Sequence, residues 1–292
     1  MTGYRIEHST TYTYDAQVTG SYGEFFLRPR NLPWQRCRSH EVRIDPEPAD
    51  WYRHEDVYGN TRSYFHVVQP HTRLQVTSVS EVEVSDGDLD AARLAVAWEQ
   101  ARPAARAEEP DAWQAEDFTF ASPMVDLAPG VLEYAQTSFS PSRPVGEAAL
   151  DLMHRVHRDF TYKSGSTSVS TRVAELLERR MGVCQDFAHV MLACLRSLGL
   201  AGRYVSGYLA TRPPPGRPRL VGADASHAWV GVWVPGAGWL ALDPTNDRPA
   251  NHTHATVAVG RDYSDVPPVK GVIFTEAQES TMQVSVDMAP TA

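Results

Sequence analysis

Residues 1 to about 85 alternate apolar and polar positions with a period of two, the signature of strands with one buried face. "YRIEHSTTYTY" (4–14), "HEVRIDPEP" (40–48), "RSYFHVV" (62–68) and "LQVTSVSEVEV" (74–84) all read this way. Arg28–Pro33, Pro46–Pro48 and Tyr58–Asn60 supply turns between them. Short strands at this spacing predict a sandwich-like β domain over 1–85. From Asp86 to about 145 the chain is rich in Ala, Glu and Pro, which predicts short helices and a connecting segment without a core of its own. The period then changes. "VGEAALDLMHRVHRDF" (145–160) carries Ala148, Leu152, Val156 and Phe160 at helical spacing. "STRVAELLERR" (170–180) starts at a Ser/Thr cap with Glu175 following. A third helix starts near Cys184 and stops at Gly199.

Strands return in "GRYVSGYLA" (202–210), "HAWVGVWV" (227–234) and "GWLALDPTN" (238–246), with a loop at 213–218 and a turn at 235–238. The tail "VIFTEAQESTMQVSVDM" (272–288) adds one or two more. Helices followed by an antiparallel sheet give an α+β order over 146–292.

Composition changes the picture mainly by exclusion. With 27 basic and 36 acidic side chains the formal charge is −9, and no basic stripe suited to nucleic acid or an anionic membrane is present. The first residues lack the charged start and apolar run of a signal peptide, and three cysteines are too few for a disulfide framework. A cytoplasmic, reduced protein is the expectation. No Gly-x-Ser-x-Gly elbow, phosphate loop or calcium loop is found. His154/His157 and His252/His254 lack a Cys-x-x-Cys or His-Glu-x-x-His companion, and are expected on solvated surfaces rather than around a metal. Neither a metal nor another cofactor is expected.

The two cysteines of the third helix differ in place. Phe187, Met191, Cys194, Leu195 and Leu198 share one face, so Cys194 reads as a small buried hydrophobe. Cys184 opens the helix, where free N–H groups and the macrodipole favour an anion, and Gly182 before it allows a tight approach. A thiolate nucleophile needs a base, and the base needs an orienting group. His227 begins one strand and Asp243 ends the next; an antiparallel hairpin sets those ends side by side. Each residue has a plainer reading alone: a buried cysteine, a structural histidine, a turn aspartate before Pro244. Together they form a Cys-His-Asp set, and catalysis is favoured.

"GVCQDFAHVMLACLRSLGLAGRYVSGY" and "SHAWVGVWVPGAGWLALDPTN" resemble the bacterial transglutaminase-like superfamily, a branch of the papain-like cysteine enzymes. "DFTYKSGSTSVSTRVAELLERRMG" and "GRDYSDVPPVKG" look like further family segments. "YRIEHSTTYTYDAQV", "LRPR" and "DVYGN" look like the β-rich domain that precedes its catalytic core. Ala201 stands where the family often has proline.

The resemblance implies a papain/transglutaminase-like core, with Cys184 as nucleophile, His227 as base and Asp243 as orienter. The Cys184 N–H is the natural first oxyanion donor; Tyr162 and Gln185 are candidates for a second. Trp229, on the His227 face, is a candidate shield for a thioester. Asp186 is expected to serve the helix dipole and His189 to pack. The reaction expected is acyl transfer from an amide of a peptide or protein, with a primary amine among the acceptors. Transfer to water, as in a protease or amidase, and a non-catalytic binding scaffold are the alternatives. No nucleic acid or membrane partner is expected.

Overall fold

A computed structural model describes residues 1–87, 91–109, 111–211 and 226–291. The loop expected at 213–218 lies outside the described residues. The alternating N-terminal segments form β1 (Thr2–Phe25), β2 (Gln35–Asp45), β3 (Asp50–Glu55), β4 (Thr61–Val67) and β5 (His71–Val84). Helices α1 (Val145–Asp159), α2 (Val173–Arg179) and α3 (Cys184–Ser197) follow the connecting segment. Then come β6 (Gly202–Leu209), β7 (Ser226–Val234), β8 (Gly238–Asp243), β9 (His254–Gly260), β10 (Val269–Thr275) and β11 (Ser280–Pro290). The chain is a mixed helix-and-sheet protein, with a β-rich N-terminal part and helices packed on a second antiparallel sheet.

The first sheet curls about β1, which changes partners along its length. Its beginning runs between β5 and β11; its end runs between β4 and β10. The tail strands expected after the catalytic sheet do form, but they pair with β1 far back in the chain, Tyr4 with Pro290 and Phe25 with Val269 for example. Within 146–292, β10 and β11 thus join the sheet of the N-terminal strands. Their exposed apolar positions gave no sign of which sheet would receive them.

The second sheet has the order β8-β7-β6-β9, with the two-residue strand Arg248–Pro249 on the outer edge of β8. At the other margin, β9 leaves backbone groups on its free side, and an unpaired edge invites association. Two amides from the first domain occupy it. Gln35 Nε2 donates to Thr256 O (2.7 Å) and its Oε1 accepts from Thr256 N (2.7 Å). Asn60 repeats the arrangement on Val259, at 2.7 and 2.8 Å.

Helix α3 lies against the β6–β7 side of this sheet and is buried over almost its whole length. Phe187, Met191, Leu192 and Leu195 join Val230, Val232 and Leu242 in the main core. Burying each large side chain here contributes about 1.5–3 kcal/mol. Strand residues Tyr4, Ile6, Val82, Val286 and Met288 enter the same core, so the first sheet and the helices share it. The expected Ser/Thr cap on α2 is not made: Arg172 occupies the cap position without a side-chain bond, and Thr171 Oγ1 accepts instead from Ser168 N at 2.9 Å.

Candidate active site

Gly182 and Cys184 are placed by a two-residue parallel pairing of Thr161–Tyr162 with Met181–Gly182. The glycine serves a different purpose from the open approach expected. A Cβ at Gly182 would fall 2.6 Å from the Asp186 side chain, so its absence makes room for Asp186 to turn back. Asp186 Oδ2 accepts from Val183 N (2.8 Å) and Thr167 Oγ1 (2.6 Å), closing the first turn of α3. The helix's first bonds run from Asp186 N and Phe187 N to Val183 O, at 2.9 and 3.1 Å. The N–H groups of Cys184 and Gln185 come before them.

The half-buried Cys184 thiol meets the imidazole of His227. The other side of that ring is held by Asp243, with His227 Nε2 2.8 Å from Asp243 Oδ2. Nε2 being occupied, Nδ1 is the nitrogen left for sulfur. The pairing follows from the β7–β8 hairpin, whose register aligns Leu242 with Val230 and so carries Asp243 back toward the start of β7. Burial alone would discharge the His227 ring, but the bonds to Asp243 and Cys184 outweigh it and raise its pKa well above 6.5.

Asp243 is fully buried and accepts from five donors. His227 Nε2, Asn246 Nδ2 (2.7 Å) and His254 Nε2 (3.1 Å) reach Oδ2. The backbone N–H groups of Thr245 (3.0 Å) and Asn246 (3.1 Å) reach Oδ1. Burial opposes the charge, yet these bonds and the His227 cation hold the carboxyl far below the usual range.

His254 corrects the solvated-loop expectation. It opens β9, is 3% exposed, and its Nδ1 accepts from Asn251 N at 3.2 Å. That bond assigns the proton to Nε2, which donates to Asp243. Burial lowers the His254 pKa despite the carboxylate, so the ring is neutral. His252, by contrast, is surface-held by Asp86 (2.9 Å), and His154 and His157 bond the 245–247 turn. Ligand atoms of His227, Asp243 and His254 lie within 4.8 Å of one another. His227 Nε2 and His254 Nε2 both meet Asp243 Oδ2 directly, at 2.8 and 3.1 Å.

The remaining sequence candidates separate. Tyr162 stands exposed beside the site, its phenol pKa raised by burial and then by the charge of Cys184. Gln185 Nε2 donates one hydrogen bond to Val169 O at 3.1 Å. Trp229 is buried, tilted against His227 (6.0 Å) and edge-on to His254 (5.3 Å). It packs against the two histidines. His189 accepts from Tyr263 N (3.2 Å) and is held neutral, its pKa lowered to about 4 by burial. Sequence reasoning missed His254, Asn246 and Tyr204, a buried phenol that also feels Cys184. The Asp-Pro-Thr-Asn run was the available signal for Asn246.

Residues 4–83 match the model of a bacterial transglutaminase-like N-terminal region, and residues 133–244 match that of the transglutaminase-like superfamily. An uncharacterised protein of Mycobacterium tuberculosis is 49% identical over 98% of this chain and 92% of its own length. A protein-glutamine gamma-glutamyltransferase of Pseudomonas aeruginosa is 35% identical over 36% of this chain and 16% of its own. A solved structure from Cytophaga hutchinsonii, proposed to be a cysteine protease, superposes with a TM-score of 0.73 at 18% identity. That superposition covers 99% of this chain and 93% of the other, and it shows a common fold.

Proposed function

The chain belongs to the transglutaminase-like superfamily, and from that premise we propose that it is a cysteine acyltransferase acting on amides of peptides or proteins. The observation that carries this reading is the line from Cys184 through His227 to Asp243. Cys184 gives its proton to His227, and the thiolate forms a C–S bond to the amide carbonyl carbon. The oxyanion forms at the opening turn of α3, where the Cys184 N–H and the helix dipole oppose its charge. As the C–N bond breaks, the imidazolium returns the proton to the departing nitrogen. A primary amine then attacks the thioester, His227 takes its proton, and the sulfur leaves as thiolate. Asp243 holds the ring in one tautomer and balances its charge throughout.

An amine acceptor is favoured by the Pseudomonas aeruginosa relative, whose likeness falls on about a third of this chain. The test offers a glutamine-containing peptide to the wild type and to Cys184→Ala, with and without a primary amine. Mass spectrometry follows conjugate, released ammonia and backbone cleavage. Conjugate that requires both amine and Cys184 is expected. Products unchanged in Cys184→Ala would remove the proposal; cleavage or deamidation regardless of amine would make water the acceptor.

A further inference from the structure

Two arginines, Arg196 buried and Arg203 partly exposed, flank the junction between α3 and the second sheet, and they are treated in opposite ways. Arg196 is saturated: it donates to Phe118 O (3.1 Å), Ser122 Oγ (2.9 Å), Gly202 O (3.0 Å) and Arg261 O. Arg203, on β6, has a sealed Nε without an acceptor, and its guanidinium makes no hydrogen bond or ion pair among the described residues. A buried donor group is ordinarily paired, and a buried cation more so.

The surroundings of Arg203 are those of a container. Its stem crosses Gly231, where a Cβ would come within 3.0 Å of Arg203 Cγ and Nε. Its guanidinium carbon stacks 4.2 Å from the centroid of the Trp239 ring. On one side opens a cavity of about 680 Å³ lined by Trp34, Trp229, Trp239 and His254 as well as Arg203. On the other, a second cavity of about 590 Å³ shares Arg203 and Trp239. Three carboxylates line these spaces, and each is engaged elsewhere. Asp86 accepts from His252 (2.8 and 2.9 Å), Asp111 from Trp233 Nε1 (2.9 Å), and Asp117 from the Tyr58 hydroxyl. Burial first, and then the like charge of Arg30, work against the Arg203 cation, with no acid compensating.

We propose that the larger cavity is a ligand site for a small organic acid with a flat apolar body, its carboxylate paired with Arg203 and its body lying among Trp34, Trp229 and Trp239. A guanidinium whose face is already stacked keeps its edge for a forked bond to a planar oxyanion. The indole walls suit an aromatic body and disfavour a strongly hydrated inorganic anion. The site lies on the sheet face turned away from the apolar core beneath α3, Cys184 is not in its lining, and its walls Trp229 and His254 back onto His227 and Asp243.

The test is calorimetric titration of the full chain with 3-phenylpropionate, its neutral amide and inorganic phosphate. Phenylpropionate is expected to bind, with the amide and phosphate each at least about tenfold weaker. Arg203→Gln should bring acid and amide to equal affinity, while Trp34→Ala should weaken both. Cys184→Ala should bind as the wild type does, which separates this site from the catalytic proposal. The wild-type acid–amide comparison reads the charge even if Arg203→Gln does not fold. Equal binding of acid and amide by the wild type, tighter binding of phosphate, or no heat from phenylpropionate at about 10 mM would each overturn the proposal.

Discussion

At its first turn α3 offers a half-buried thiol to an imidazole; further along, the same helix closes Cys194 completely inside the apolar core. Burial pushes the Cys194 thiol up to about 12, so it stays protonated and inert. Cys184 has a histidine whose charge is maintained by a carboxylate with five donors. What separates a reactive from a structural cysteine here is the set of neighbours that the end of a helix can receive and its middle cannot. Chemistry is confined to the end of the element where backbone N–H groups are unused.

That contrast can be broken most severely at Asp243. Asp243→Asn is expected to lower kcat/KM by ~10³–10⁴-fold through loss of the correct ring tautomer and charge. It should also bring the alkaline limb of the pH profile to lower pH. His227 has a raised folded-state pKa, so its contribution to stability is present below its unfolded value of 6.5 and lost as pH rises through the folded value. Asp243 has a depressed one, so its contribution is present above the unfolded carboxylate value of 3.8 and lost as pH falls toward the folded value. An alkaline limb unmoved in Asp243→Asn would contradict the assignment.

Cys184→Ala should lose at least ~10³-fold in activity, measured as conjugate formed, with the urea midpoint nearly unchanged. His254→Gln comes next. A positioning role predicts a ~10–100-fold fall in kcat, little change in KM, and an alkaline limb between those of wild type and Asp243→Asn. A fall in stability with an unchanged pH profile would make His254 merely structural. The smallest effect belongs to the other end of the comparison. Cys194→Ala should cost about 1 kcal/mol in urea unfolding and leave activity intact. Iodoacetamide near neutral pH should label Cys184 well before Cys37 or Cys194 in the native protein, and His227→Ala should slow it. Equal labelling of all three would erase the distinction between the two ends.

Much of this site was legible because it rests on local pattern. A helix period dates its own first turn, and a hairpin's register brings His227 to Asp243. The family resemblance agreed with both. His254 was obscured because the residues just before it, Asn251-His252-Thr253, are polar; its burial goes with β9 pairing on β6, which the sequence does not announce. Gly182 was rightly marked and wrongly explained, since the space it leaves is filled by Asp186 from one turn later. Arg203 looked like an ordinary alternating strand residue, and its lack of a partner exists only in three dimensions.

The pairing of β10 and β11 with β1 bears on how the molecule comes into being. β1 is completed only by strands that follow the whole second sheet in sequence. Until those strands emerge, one side of β1 is open, while β4 and β5, the helices and the second sheet are already available to fold. A cut that frees residues 1–85 would release an incomplete sheet rather than a domain.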